Sequence, residues 1–336
     1  MRIGYFLSSE ELSPGELLAQ ARLAEEAGFD GLWISDHFHP GNDEQGHSPF
    51  VWSVIGALAQ ATEKMKVTTA VTCPTVRVHP AIVAHAAATS AVLLEGRFAL
   101  GVGSGEALNE HILGDRWPPA AERLEMLEEA VEVIRLLWEG GVQSHRGTHY
   151  RVEHARIYDL PEQAPPMIVS GFGPQAISLA ARIGDGFATV QPDRDAVEQF
   201  RGDAAGGASK LVAGGTKVCW GEDEAACRRT AHRLWPNEGL GGELAQILPT
   251  PAHFEQACEL VTEDMVAEAV PCGPDLERQI EAFERYADAG FDELYVQQIG
   301  VADERFFEVY ANEVLPRFMG HGAAGEGAPL AHRASA

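Results

Sequence analysis

The chain has 336 residues, 45% of them hydrophobic, enough to build a sizeable core in one large domain or two ordinary ones. Its 50 Asp and Glu against 25 Lys and Arg give a net charge of -25, which argues against nucleic acid and anionic membrane surfaces as partners. Five widely spaced cysteines without a C-x-x-C argue against a disulfide framework or a zinc knuckle, and no apolar run is long enough to span a bilayer.

The chain opens directly on a strand-like run, Met1-Arg2-Ile3-Gly4-Tyr5-Phe6-Leu7, with no signal-peptide pattern, so a reducing cytoplasm is the expected location. A strand over 3–7 leads to a helix over 14–27, with Ser13 as N-cap, Pro14 at its first position and Gly28 as its stop. The same alternation recurs: strands over 31–34, 67–71 and 98–102 precede helices over 50–62, 80–94 and 123–139. In the second half, strands over 167–169, 186–189, 217–220 and 293–297 precede helices over 174–183, 196–200, 224–234 and 304–315. Eight such units predict an α/β protein, a (β/α)8 TIM barrel, in one domain over 1–318.

Three segments interrupt the rhythm. Residues 142–158, with Arg146-Gly147-Thr148 between alternating residues, read as an inserted β-hairpin, and 236–271 as a long excursion of the kind that forms lids or substrate walls. The Ala- and Gly-rich stretch 319–336 reads as a disordered tail.

A parallel barrel delivers whatever follows each strand to one rim, where ligands bind. After the second strand comes Asp36-His37, and His37 is the first candidate proton carrier, because imidazole alone changes charge near neutral pH without a large pKa shift. After the fourth comes Gly103-Ser104-Gly105-Glu106-Ala107-Leu108-Asn109-Glu110. Glycines 101, 103 and 105 are expected to leave bare backbone for a flat ligand, with Glu106 at the mouth. A His and a Glu on separate strand ends offer a base and an acid across one pocket. Asp36, His37 and His39 do not make a metal set, since Phe38-His39-Pro40 reads as loop, and Gly147 between His145 and His149 argues for a turn rather than a helical zinc pair.

Ser35-Asp36-His37-Phe38, Gly103 through Glu110, and Gly184-Asp185-Gly186-Phe187, in that order and spacing, resemble the coenzyme F420-dependent glucose-6-phosphate dehydrogenase family of the bacterial luciferase-like barrel superfamily, over about residues 1–318. The resemblance implies an 8-hydroxy-5-deazaflavin lying flat in the barrel mouth against Asp36, Val71, Cys73, Asn109, Phe172 and Gly173, with a cis peptide at Ala70-Val71 behind it. It further implies that His37 takes the substrate's hydroxyl proton, that Glu106 supplies a proton at the ring N1, that Glu10 faces the same pocket, and that the protein is a homodimer. Arg77 and Arg123 are then candidates for the cofactor's phosphate and glutamyl tail.

Two departures bear on the substrate. Where the family places a Trp shortly after the His, this chain has Gly41, which is expected to leave an open pocket. Where the family holds a sugar phosphate with two Lys and an Arg, this chain aligns Asp193, Gln256 and Ala267 or Glu268, and no Lys or Arg occurs from 236 to 270. A phosphate dianion wants charge-assisted donors. The expectation is therefore an F420-dependent oxidoreductase moving hydride between a carbinol carbon of a sugar-like, non-phosphorylated small molecule and the deazaflavin, with Gly41 and Gln256 in the substrate pocket. Two alternatives stand beside it: a redox-neutral epimerase of an (amino)glycoside using the same His and Glu, and a non-catalytic deazaflavin-binding protein. A flavin mononucleotide monooxygenase stands further off, because the matched blocks belong to the deazaflavin branch.

Overall fold

A computed structural model describes residues 1–318; the tail expected to be disordered, 319–336, lies outside them. Strand β1 (Arg2–Leu7) leads to helix α1 (Pro14–Ala27), which starts where Ser13 and Glu16 cap each other reciprocally and stops at Gly28, whose φ of 91° only glycine adopts easily. Then follow β2 (Gly31–Ile34), α2 (Val51–Ala61), β3 (Lys66–Thr69), α3 (Pro80–Leu93), β4 (Phe98–Val102), the short α4 (Ala107–Glu110) and α5 (Ala120–Trp138). A hairpin of β5 (Gln143–Arg146) and β6 (Arg151–Ala155) fills the first expected interruption. The chain resumes with β7 (Met167–Ser170), α6 (Pro174–Ile183), β8 (Gly186–Thr189), α7 (Arg194–Asp203), β9 (Leu211–Val218) and α8 (Glu224–Leu234). The excursion folds into α9 (Leu244–Ile247), α10 (Pro251–Ala257) and α11 (Glu263–Ala269). Helix α12 (Leu276–Ala289), β10 (Glu293–Gln298), α13 (Glu304–Val309) and α14 (Leu315–Phe318) complete the described chain.

Eight parallel strands close into a barrel in the order β1-β10-β9-β8-β7-β4-β3-β2, the expected TIM architecture. The main core lies between this sheet and the surrounding helices, where the strands' outward residues, such as Leu7, Leu32 and Val67, meet α-helical Leu17, Ile55 and Val83. Inside the barrel, Trp33 stacks on Tyr295 with centroids 4.5 Å apart, and Phe6 packs edge-on against Trp33 at 5.8 Å. That aromatic plug floors the space above it. Under the excursion a second apolar cluster, including Cys219, Trp235, Val261 and Val266, anchors it to the barrel. The buried Glu11 carboxylate ties the pieces together by accepting from Trp235 Nε1 (2.5 Å), Gln297 Nε2 (2.8 Å) and the Gly300 amide (2.6 Å). No helix among the described residues is long and apolar enough to cross a membrane.

The structure departs from the sequence reading in four places. The strand expected at 217–220 is Leu211–Val218, and it holds two glycines, Gly214 and Gly215, inside the sheet where its neighbours crowd it. A Cβ would stand 2.9 Å from the Tyr286 ring at Gly214 and 3.0 Å from the Trp33 ring at Gly215. Helix α12 went unread behind the excursion, although Asp275 caps its start and Gly290 its end. The third strand stops at Thr69 rather than Val71, and the fourth unit's helix is split into α4 and α5.

Candidate active site

Beyond Ile34 the chain leaves β2 as Ser35-Asp36-His37, and the loop after β1 comes back to meet it. Ser9 is tied to Ser35 twice, its amide donating to Ser35 Oγ (3.0 Å) and its hydroxyl to the Ser35 carbonyl (2.9 Å). This brings Glu10 under His37. Glu10 Oε1 lies 2.6 Å from His37 Nδ1, while Oε2 accepts from Ser8 Oγ (2.9 Å) and Ser35 Oγ (2.8 Å). On the other edge of the imidazole, Nε2 is 3.1 Å from Glu106 Oε1. The Nδ1 contact lies off the N–H axis, so it acts as a charge contact more than as a directed hydrogen bond.

These contacts set the charges. Burial alone would pull the His37 pKa down, but Glu10 and then Glu106 outweigh it and raise it well above its ordinary value. Burial likewise opposes ionisation of Glu10, yet the facing imidazolium and the Ser35 hydroxyl bring its pKa down to about 2. Glu10 is only 3% exposed and sits behind the ring, away from the cavity, so the expectation that it faces the pocket is corrected. It holds and charges His37.

Glu106 is the N-cap residue of α4, and Asn109 fastens it. Asn109 Nδ2 donates to Glu106 Oε1 (3.2 Å), and its Oδ1 accepts from the amides of Phe38 (2.7 Å) and His39 (3.0 Å). One amide side chain thus fixes the loop carrying His37 and the acid opposite it.

The glycines before Glu106 serve a different neighbour from the one the sequence suggested. A cis peptide joins Ala70 and Val71, as the resemblance implied, and the chain there crowds β4. A Cβ at Gly101 would lie 1.8 Å from the Thr69 carbonyl oxygen, one at Gly103 2.7 Å from Val71 Cγ2, and one at Gly105 2.5 Å from Cys73 Sγ. The bare backbone admits the 69–73 segment, which in turn presents Val71 and Cys73 to the cavity. Gly103→Ala is therefore expected to cost about 1–3 kcal/mol by overpacking against a side chain that can shift. Gly101→Ala, which meets backbone, is expected to cost more, and an unchanged urea midpoint for it would contradict this packing.

Asp36 and Glu110 are bridged by Arg77. Its Nη2 lies 2.9 Å from Asp36 Oδ1, its backbone amide donates to Glu110 Oε2 (2.8 Å), and Thr72 Oγ1 donates to Asp36 Oδ2 (2.8 Å). Arg77 as a ligand for the cofactor's tail is corrected on this ground: its side chain is buried, and two carboxylates already hold it.

Above the aromatic plug opens a cavity of about 470 Å³, lined by His37 and Glu106 together with all six remaining expected cofactor residues, Asp36, Val71, Cys73, Asn109, Phe172 and Gly173. The two expected substrate residues lie elsewhere. Gly41 leaves no opening, since its amide donates to Gln45 Oε1 (2.7 Å) and a Cβ there would meet Gln45 and Asn237. Gln256 is exposed on α10, outside the lining, and Asp193 caps α7. The sequence reading missed Phe6, Trp33, Thr189 and Val190 in the lining, and Glu243 and Gln246 contributed by the excursion. An inward-facing barrel residue near the mouth has the same two-residue period as one buried in the floor, so period alone could not find the first four. Among the described residues no group of three His, Cys, Asp or Glu could hold a metal ion.

The family model for luciferase-like monooxygenases matches residues 1–293. An F420-dependent glucose-6-phosphate dehydrogenase of Microbacterium testaceum is 37% identical over 330 residues, covering 94% of this chain and 97% of the relative. A protein of the same name from Beutenbergia cavernae is 36% identical over 94% of this chain and 97% of its own length. Among solved structures, an F420-dependent secondary alcohol dehydrogenase in complex with an F420–acetone adduct superposes with a TM-score of 0.85 at 31% identity, over 94% of this chain and 98% of that one. The chain belongs to the luciferase-like monooxygenase family and, within it, to the group that contains the F420-dependent glucose-6-phosphate dehydrogenases.

Proposed function

We propose that the protein is an F420-dependent oxidoreductase that transfers hydride between a substrate carbinol carbon and the deazaflavin, with a small, non-phosphorylated alcohol or carbonyl compound as substrate. The relatives named above support the cofactor. The residues present fit it as well. Helix α6 begins at Gly173 with no side chain capping its first amides, and Gly173, Gln175 and Ala176 line the cavity, which suits a phosphate-bearing ligand. Bound deazaflavin supplies a carbon that accepts or returns hydride, two electrons at a time.

The observation that carries the proposal is the imidazole of His37 held between Glu10 and Glu106 at the cavity wall. His37 moves the proton of the reacting hydroxyl through Nε2, the edge shared with Glu106, while Glu10 fixes the ring and stabilises its charged form. Glu106 is the second proton-handling group. The place of its proton at the ring N1 rests on the family resemblance. Phe6 and Trp33 on the floor and Val190 at the rim make part of the lining apolar, so substrates with an apolar flank are favoured over polyols. Exposed Ile82, Val92 and Leu93 on α3 support the homodimer that belongs to the same proposal.

Among the described residues the only cations in the lining are the His37 imidazolium, which is held between Glu10 and Glu106, and Arg123, against Asp36, Glu106, Glu110 and Glu243. Glucose 6-phosphate is accordingly expected to be turned over at least about 100-fold less efficiently than a neutral secondary alcohol, the effect of losing two charge-assisted contacts. Titration with oxidised F420 and with FMN, followed by fluorescence, tests the cofactor, and kcat/KM with the two substrates tests the rest. Preference for FMN, or for the sugar phosphate, would overturn the proposal.

A further inference from the structure

The chain buries two arginines beside the cavity, and they are treated oppositely. Arg77 is neutralised by Asp36 and Glu110, which raise its pKa against the effect of burial. Arg123, 4% exposed, has only neutral hydrogen-bond partners, the Pro118 carbonyl (2.8 Å) and Gln246 Oε1 (3.0 Å), and among the described residues no carboxylate reaches ion-pair distance. Its Nε is buried without a partner. So is Nε1 of Trp117, whose ring lies 4.5 Å from the guanidinium carbon. Burial lowers the Arg123 pKa, and the more distant Cys73 and Glu243 offset this only in part. A buried guanidinium left without a counter-ion is destabilising, and one that lines a cavity can receive the missing charge from the occupant.

The fold says which end of the cavity this is. Helix α5, carrying Arg123, follows β4, and the uncapped helix α6 follows β7. These strands are neighbours in the barrel, and β7 stands diametrically across from β1, which carries Phe6. Two anion-seeking features thus lie on one side of the barrel mouth, across from Phe6.

We infer that Arg123 is an anion subsite for the deazaflavin's tail, binding its phosphodiester or its glutamyl carboxylates. This rests on the cofactor reading above. The guanidinium offers donors to either anion, and Gln246 orients it from the excursion.

The test uses three ligands: the deazaflavin riboside without phosphate, its 5′-phosphate, and full F420. Their dissociation constants are measured by fluorescence on the wild-type protein, Arg123→Met and Arg123→Lys. The wild type is expected to bind full F420 at least tenfold more tightly than the riboside. Arg123→Met should remove most of that difference while leaving riboside binding within about twofold, and Arg123→Lys should retain part of it. Loss at the 5′-phosphate step assigns the phosphate, and loss only with full F420 assigns the carboxylates. Undiminished discrimination in Arg123→Met, or equal weakening of all three ligands, would overturn the inference while leaving the cofactor reading intact. Failure of the wild type to bind the riboside and F420 alike would remove both.

Discussion

Replacing His37 by Gln is expected to lower kcat for hydride transfer by about 10²–10⁴-fold while F420 affinity stays within a few-fold. The imidazole is the one group in the cavity whose two edges meet Glu10 at 2.6 Å and Glu106 at 3.1 Å, and it is the group placed to exchange the proton that accompanies hydride. Glutamine keeps a donor near Glu10 and about the same reach, but it cannot change charge. The residues proposed to hold the cofactor, from Asp36 to Gly173, are untouched by the change, which is why binding should persist. The readout is therefore a split, with kcat falling and the dissociation constant for F420 holding. If kcat fell less than threefold, His37 would be no proton carrier, and a role for this protein as a deazaflavin binder would gain ground.

The sequence carried the site better than it carried the fold's second half. His37 and Glu106 were legible because each stands at a strand's polar edge and only the rim of a barrel brings such edges together. What Glu10 does was not legible. Two serines, Ser8 and Ser35, turn its carboxylate under the imidazole, and hydrogen bonds between loops leave no periodic signal. Arg77 and Arg123 look alike in sequence, and only the fold shows that one is paired with Asp36 and Glu110 and the other is not. The glycine run before Glu106 is visible in the sequence but its purpose is not: its missing side chains make room for Val71 and Cys73, which line the cavity. Strand β9 uses glycine in the same way, Gly214 and Gly215 giving close packing against Tyr286 and Trp33. Gly41 failed in the opposite direction. Reading a missing Trp as open space ignored what could move in, and Gln45 and Asn237 close around that position.

The charge on His37 leads to the second large effect, an opposite pH dependence for the two directions of reaction. Because Glu10 and Glu106 raise its pKa above the ordinary imidazole value, the ring stays protonated through neutral pH in the resting protein. Carbonyl reduction needs that proton, so its rate should be level at neutral pH and fall as pH rises through the raised midpoint. Alcohol oxidation needs the free base, so it should rise across the same interval. The linkage to stability has the same sign: the contribution of the charged ring is fully present below its unfolded pKa and is lost as pH climbs through the folded one.

Glu10→Gln removes the carboxylate that does most to raise the ring, leaving burial opposed by Glu106 alone. The midpoint of both profiles should then move to lower pH. Above it, each unit of displacement reduces the protonated fraction about tenfold, so reduction weakens at neutral pH while oxidation gains relative to the wild type. A residue that merely supported the fold would lower both directions together and leave the midpoint in place. Parallel loss in the two profiles, measured across pH on the F420-loaded enzyme, would show that Glu10 braces the loop and does not set the charge of the ring.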